Sequence, residues 1–578
     1  MLSIRTKEAR EQPHQSEAAR GRRSSFLPLT RTGWHWRSAP GGYTSDGRIP
    51  FTMRIGVTGH RQLAHTDALV VLIQEALRRL AEDLCGARYE DCALVAVSAL
   101  AEGADRLVAE QVLEQPNARL EAVLPMPVRE YLRDFKGAAS KRGFKTLLEE
   151  ARETWRAPKT ASREEAYELA SRHVVDASDA VIALWDGEPG RGRGGTAETV
   201  AYARERGVPL AWIRTAEDPV LFLQLQRTQR QLIRQGVDHL RDYNTSAIST
   251  EVIQSRVTAQ YDRLMHALDV DQASGALRAS VESAANWLLP HFVRADILAV
   301  RLQRRFRVLS SAMFMMAAVS VAIVAVQDNF LPAESWLVIF EVALLSCLVA
   351  IPLLNRRWHL HDRWISYRFL AERFRSAYFL ALAGTGDRRQ RSATLTFIAD
   401  ASESWIERAL AEVTSRRPQL EVADIQGTRR FLSRHWLENQ VSYHSKLAKR
   451  HHRAEERIFR ATGALFAVTM IAAILHMLRI GDTAGHASNW PLLFVVLSIS
   501  IPALGAALHG IGAQRQYRRH ADRCDRMSML LGQLRVELDS ANDLRTIQDL
   551  AAETERIMRE ENNDWFGAMR FYDMELIT

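Results

Sequence analysis

The sequence predicts an α/β domain with a doubly wound parallel sheet, followed by an all-α membrane region whose four transmembrane helices form two hairpins. Three observations predict it. Between Arg54 and Ile213, short apolar, β-branched runs alternate with segments of helical periodicity, the pattern of a parallel sheet covered on both faces. After residue 300 the apolar residues gather into four long blocks, each near one hydrocarbon thickness when helical. Arginines flank the outer ends of each pair of blocks and are scarce in the loop within each pair.

The strands are expected at Arg54–Val57, Leu94–Ala99, Leu120–Leu124, Ala180–Leu184 and Leu210–Ile213. Helices are expected at Asp67–Leu84, Gly103–Leu113 and Thr196–Arg206, where apolar residues recur at helical spacing. A polar, partly helical insert follows the third strand and runs to Ala157. Ser162 and Glu165 form a capping box that opens a helix reaching Val175. Residues 220–300 lose the strand pattern and read as helices rich in Gln, Arg, Leu and Ala.

Val308–Val326 runs 19 residues without a charge and as a helix rises roughly 28 Å. Trp336–Leu354 is interrupted only by Glu341, and Ala461–Leu478 and Trp490–Ile511 complete the set. One such block would fit a buried core helix; four, paired across short polar loops, fit membrane spans. Arg301, Arg304, Arg305 and Arg307 precede the first block, and Arg356 and Arg357 follow the second. Arg453, Arg457 and Arg460 precede the third, and Arg515, Arg518 and Arg519 follow the fourth. The positive-inside rule then places both termini in the cytoplasm, in a multi-pass protein of the cell (inner) membrane.

The hairpins also repeat. Phe306–Arg307 returns as Phe459–Arg460 and Ile351–Pro352 as Ile501–Pro502, at offsets of 153 and 150. A basic, aromatic-containing helix follows each pair, Trp364–Arg375 and Tyr517–Arg535. Glu341 lies about a third of the way into its span, where an unpaired carboxylate costs a few kcal/mol. It reads either as a pore-lining or interhelical group or as a protonated or snorkelling side chain. Pro352 and Pro502 are expected to kink their helices.

Composition fits this division. The 578 residues are 47% apolar and 25% charged, but the apolar excess lies in the four blocks. Of the net charge of +8, residues 1–50 supply +5, from nine Lys/Arg against four Asp/Glu. That arm has no apolar run of a secretory signal and reads as disordered; with Met53 directly before the first strand, residues 1–52 could be a mis-assigned extension. The four cysteines form no CxxC pair, so reduced thiols and no metal site are expected.

Candidate chemistry gathers where strands end. The first strand runs into Gly56-Val57-Thr58-Gly59-His60-Arg61, the second into Ala101-Glu102-Gly103-Ala104-Asp105, the third into Leu124-Pro125 and the fourth into Asp186-Gly187. Gly194, Gly195, Thr196 and Glu198 open the last main helix. Glycines there let backbone amides approach a ligand, and Thr58, Arg61 and a helix N-terminus suit phosphate. Neither GxGxxG nor Walker A spacing occurs. The convergence on one sheet edge points to a nucleotide-type ligand.

GVTGHR, ALAEGAD, the Leu-Pro after the third strand and GGTAE together resemble the SLOG superfamily of Rossmann-like domains, which includes cytokinin-activating LOG enzymes and DNA-processing proteins. The resemblance covers residues 53–215. The hairpins, with Trp364-Ile365-Ser366-Tyr367-Arg368-Phe369 after the first, resemble SLATT, a two-helix membrane effector domain. The pairing implies a nucleotide or nucleotide-derivative sensor coupled to membrane disruption in a prokaryotic conflict (anti-phage) system. LOG enzymes cleave nucleoside monophosphates with an Arg and a Glu around a longer PGGxGTxxE motif. Gly194–Glu198 is a shortened form, so Glu198 meets the motif's Glu only in a changed register.

The chain thus reads as a disordered basic arm (1–52), a nucleotide-binding domain (53–215), a helical connector (216–300), a first two-helix unit (301–385), a linker (386–452) and a second unit (453–578). The expected ligand site comprises Gly56, Thr58, Gly59, His60, Arg61, Glu102, Gly103, Asp105, Pro125, Asp186, Gly194, Gly195, Thr196 and Glu198, with Glu102 and Glu198 as catalytic candidates. No cofactor is required; the expected partners are a nucleotide ligand, the bilayer and further copies of the chain, without nucleic acid. The alternatives are a membrane-anchored nucleotide hydrolase and a non-catalytic scaffold.

Overall fold

The computed structural model describes residues 46–64, 66–86, 93–190, 194–215, 218–225, 227–385, 401–418, 420–481 and 489–570. They form two compact units, each discontinuous in sequence. One holds Tyr43–Met316, Val342–Thr428 and Ile547–Thr578; the other holds Ala317–Glu341 and Arg429–Thr546.

The first unit contains a seven-stranded sheet: β1 (Thr52–Gly59), β2 (Ala93–Ser98), β3 (Arg119–Leu124), β4 (Glu153–Arg156), β5 (Ala180–Trp185), β6 (Leu210–Arg214) and β7 (Val220–Gln224). Its order is β4-β3-β2-β1-β5-β6-β7, parallel throughout except for β7 against β6. The chain builds outward from β1 through β2 to β4, then returns to β1's other side with β5. The order therefore reverses between β1 and β5, the point at which open α/β sheets bind ligands.

The helices here are α1 (Thr66–Cys85), α2 (Ala104–Leu113), α3 (Val128–Tyr131), α4 (Gly137–Glu150), α5 (Arg163–Asp176) and α6 (Thr196–Glu205). Met53, Ile55 and Val57 face one side and pack with Ile73 and Leu77 of α1 and Val108 of α2. Val95 and Val97 meet Val174 of α5 on the other, and Val181 and Ala183 meet Val200 of α6. Both faces are thus covered, which is why the strands read as nearly continuous apolar runs.

Three expectations are corrected. β4 lies inside the stretch read as a polar insert; it is a four-residue edge strand, too short and polar to announce itself. β7 lies where no strand was expected, as an antiparallel edge over Val220–Gln224. The disordered arm must be shortened at its end. Ile49 is fully buried, and its amide and carbonyl both bond the Asn244 side chain, at 3.0 and 2.7 Å. Residues 1–45 lie outside the described residues.

The same unit contains α7 (Arg227–Thr245), α8 (Thr250–Val270), the start of α9 (Gly275–Phe330), most of α10 (Ser335–Trp358), α11 (Leu360–Leu382) and α12 (Ala401–Thr414). α9 has no break between connector and span, contrary to a boundary at 300. Arg294 of α9 is buried and donates to the Tyr243, Asn244 and Ser246 carbonyls, satisfying the C-terminal end of α7.

α12, within the stretch read as a linker, docks on the sheet's amino edge. Buried Glu412 accepts from Thr52 at 2.7 Å, Arg119 at 2.5 Å and Arg416 at 2.6 Å. Arg408 pairs with buried Asp179 at 2.5 Å. α11 is buried along nearly all its length; its Arg373 reaches Glu407 of α12 at 3.3 Å and Glu555 of α17 (Leu544–Arg570) at 2.6 Å.

The second unit holds α13 (Ile425–Phe431) from Arg429, a π-helical stretch at Leu432–Glu438, α14 (Asn439–Met477), α15 (Trp490–Arg515) and α16 (Tyr517–Ser540). Among the described residues, four helical stretches are long and apolar enough to cross a membrane: Gly275–Phe330, Ser335–Trp358, Ile425–Met477 and Trp490–Ser540. Large apolar side chains stand exposed on them, among them Phe459 (80%), Ile339 (72%) and Met477 (71%), as lipid-facing surfaces require. α10 carries exposed tryptophans at both ends, Trp336 and Trp358, roughly 33 Å apart along the helix and so at interfacial depth.

Both second spans end alike. A single left-handed residue, His359 (φ 48°) after α10 and Gln516 (φ 44°) after α15, turns the chain into the next helix. Both helices run without a break through Pro352 and Pro502. Pro352 is buried, Pro502 exposed, and Glu341, seventh residue of α10, half-buried.

Candidate functional site

The switch point between β1 and β5 brings two of the expected loops into contact. The His60 amide donates to the Leu184 carbonyl at 3.0 Å, tying the loop after β1 to the end of β5. Its Nε2 lies 3.0 Å from Oδ1 of Asp186 and 3.1 Å from the Asp186 amide. One ring nitrogen serves only one of these at a time. Protonated, it donates to the carboxylate; unprotonated, it accepts from the amide. Asp186 has its pKa lowered; burial opposes the shift, and the Glu188 amide and His60 bring it about.

Gly103 locks the second loop under the first. It has φ +80°, and a Cβ there would stand 2.4 Å from the His60 carbonyl oxygen. The Ala104 amide donates to that same oxygen at 3.0 Å. Gly59 is equally constrained, since a Cβ would meet Ala104 at 2.4 Å. These glycines serve close approach of backbone to backbone. Gly56 sits inside β1, paired with Val97 and Val181, and its missing side chain makes room for Ser178. Thr58 and Pro125 are buried at strand ends.

Arg61 is the centre of the charge pattern. Its guanidinium lies near the Tyr167 ring, 6.0 Å from the centroid, and its field reaches Glu102, Asp105, Tyr131 and Asp134. Asp105 is buried near the start of α2, with the Ala101 amide 3.3 Å from Oδ2. Burial pushes its pKa up to about 7, against the pull of that amide, Arg61 and Arg106.

Neither catalytic candidate is idle. Glu102 accepts from the Lys136 amide at 3.1 Å and from the Ser140 hydroxyl, so it caps α4. The Ser140 bond chiefly lowers its pKa. Glu198 accepts from the Gly194 amide at 2.6 Å. At the expected anion site of Gly194, Gly195 and Thr196, the chain's own carboxylate thus holds one of the donors. Gly194 (φ +75°) packs on the Tyr167 backbone, and its carbonyl accepts from Ser171 at 3.0 Å. Arg193, the residue before Gly194, lies outside the described residues.

Sequence reasoning missed the polar rim that α3 and α5 add. Tyr167 donates to Asp134, and Arg163 bridges Asp134 at 2.5 Å and Glu130 at 2.9 Å. Tyr131, buried, donates to the Ala99 carbonyl at 3.1 Å. The available signal was a charged and aromatic insert directly after a strand tip. No group of three or more metal-ligating side chains occurs among the described residues.

Residues 433–565 match a family model described as SMODS and SLOG-associating 2TM effector domain 1. The matched stretch, which takes in α14, α15, α16 and most of α17, is similar to this two-transmembrane (SLATT) effector domain. The sheet and the first hairpin lie outside the matched range. A search of curated proteins gives no match.

Proposed function

We propose that this chain is a membrane effector of a prokaryotic conflict system, in which the SLOG-like sheet domain binds a nucleotide-derived ligand and the hairpins then breach the bilayer. The observation carrying this reading is the Arg61-centred cluster at the sheet's switch point, on a chain that also bears a two-transmembrane effector domain. Arg61 and the amides at the start of α6 suit phosphate, and Asp105 or Asp186 suits ribose hydroxyls. Tyr167 offers an aromatic edge beside them.

The amino edge of the same sheet rests on α12, which meets α11, the continuation of the first hairpin. A shift of β1 or β3 on ligand binding is thus delivered to Glu412 and on to Arg373. Four spans enclose no wide pore alone, so several copies assemble around one. Both termini lie in the cytoplasm, as the arginine flanks direct.

Binding without hydrolysis is favoured because Glu102 and Glu198 are both committed to backbone amides. The test is dye leakage from liposomes holding the full chain, with nucleotide extracts from phage-infected cells added. Leakage that Arg61→Ala abolishes is expected. Leakage indifferent to extract and to Arg61 would refute the reading, and base release from nucleoside monophosphates lost in Glu198→Ala would replace it with the hydrolase.

A further inference from the structure

α14 carries a second charged feature that the ligand site does not use. Lys446, Lys449, Arg450, Arg453, Arg457 and Arg460 are all exposed. At helical spacing they fall within an arc of about 100° and rise about 21 Å along the helix. The opposite face is the packed one, where buried Ala448 lies, His452 bonds Asp525 of α16 at 3.0 Å and His451 lies against Tyr517 and His520. Among the described residues, only Arg460 of the six has a carboxylate partner, Glu456.

The stripe ends where the apolar span begins. Arg460 is followed directly by Ala461, and Phe459 beside it is 80% exposed. The first hairpin has a shorter one: on α9, Arg301, Arg304, Arg305 and Arg307 are exposed over about two turns, and the next arginine toward the N-terminus, Arg294, is buried in the core. A row of positive charges much longer than topology needs, on a helix entering the hydrocarbon, faces one fixed source of negative charge.

We infer that this face of α14 is a docking surface for anionic phospholipid headgroups of the leaflet the helix enters. The three arginines nearest the span, within about 11 Å of it, contact headgroups directly. The three residues beyond them act through the surface potential, which decays over about 8 Å at physiological salt. The choice of lipid over polynucleotide rests on the continuity of the stripe with the span.

The test is native mass spectrometry of the detergent-solubilised full chain titrated with phosphatidylglycerol or phosphatidylcholine. Phosphatidylglycerol adducts are expected to persist where phosphatidylcholine adducts do not. Arg453→Gln/Arg457→Gln/Arg460→Gln should weaken them roughly fivefold per residue, about 100-fold in all. The corresponding triple Lys variant should retain them, separating charge from misfolding. Equal retention of both lipids, an unaffected Gln variant or a Lys variant that fails would each overturn the proposal. A short single-stranded RNA bound more tightly than phosphatidylglycerol, and lost in the Gln variant, would overturn it in favour of a polynucleotide.

Discussion

The two hairpins share an outline yet are built into the protein differently. In each, a long helix enters the first span, a proline lies in the second, and one left-handed residue starts the following helix. After the first hairpin that helix, α11, is buried nearly all round, and its Arg373 is held by two carboxylates. After the second, α16 buries one stripe, Ala521, Cys524, Met527, Leu531, Leu534 and Leu538, against its own unit. The helix after the first copy is set in the core of the sheet-bearing unit; the helix after the second keeps a solvent face and a basic partner helix. A repeated architecture can thus be anchored in two ways, one copy leading into a buried helix and the other into a helix with an exposed face.

The widest expected difference lies in the buried ion pairs. Arg373→Ala leaves Glu555 charged and buried, and should cost about 3–5 kcal/mol in detergent-solubilised thermal unfolding. Glu412→Gln, which strips the carboxylate shared by Thr52, Arg119 and Arg416, should cost about 3 kcal/mol and uncouple extract-triggered leakage while sparing ligand binding. Equal loss of binding and leakage would show that α12 is not the route.

Asp105 tests the sheet alone. Its folded pKa of about 7 lies above the ordinary carboxylate value, so the folded form holds its proton longer than the unfolded one. Its contribution is full below about pH 4 and is lost as pH rises to about 7. Asp105→Asn should flatten that slope and raise stability at pH 8 by roughly 2–4 kcal/mol, read as the thermal midpoint against pH. Asn244→Ala should cost about 1–2 kcal/mol by freeing both polar groups of Ile49. Smallest is Arg535→Ala in the second hairpin's α16: its partners Glu438 and Asp539 are exposed at 3.6 and 3.8 Å, so a change under about 1 kcal/mol is expected.

The sheet's central strands were legible because burial on both faces leaves long apolar runs, as in Ala180–Trp185. The Ser162 cap was legible too; its hydroxyl accepts from the Glu165 amide at 3.1 Å. The Glu165 carboxylate reaches the Ala161 amide at 2.9 Å, one residue before the expected partner. The edge strands were not legible, since β4 is short and polar and β7 follows a proline-bounded loop into a polar helix. At the site, the residue types were readable but their engagements were not. Nothing in the spacing of Glu102 and Ser140, 38 positions apart, announces that one caps the other's helix. Nor does the linker's composition reveal that Glu412 and Arg408 fasten it beneath the sheet.

Glu198 has one more consequence. Because its carboxylate already sits on the Gly194 amide, a ligand landing there finds a competitor tethered in place at high effective concentration. Apparent affinity falls by the fraction of time the loop is vacated. Under the proposed function, this competition would screen out abundant small anions such as free phosphate, and only a ligand gripping Arg61 and the switch-point loops as well would displace it. The loop would thereby set a threshold: a membrane effector built this way would stay silent against background metabolites until a multiply anchored one arrived.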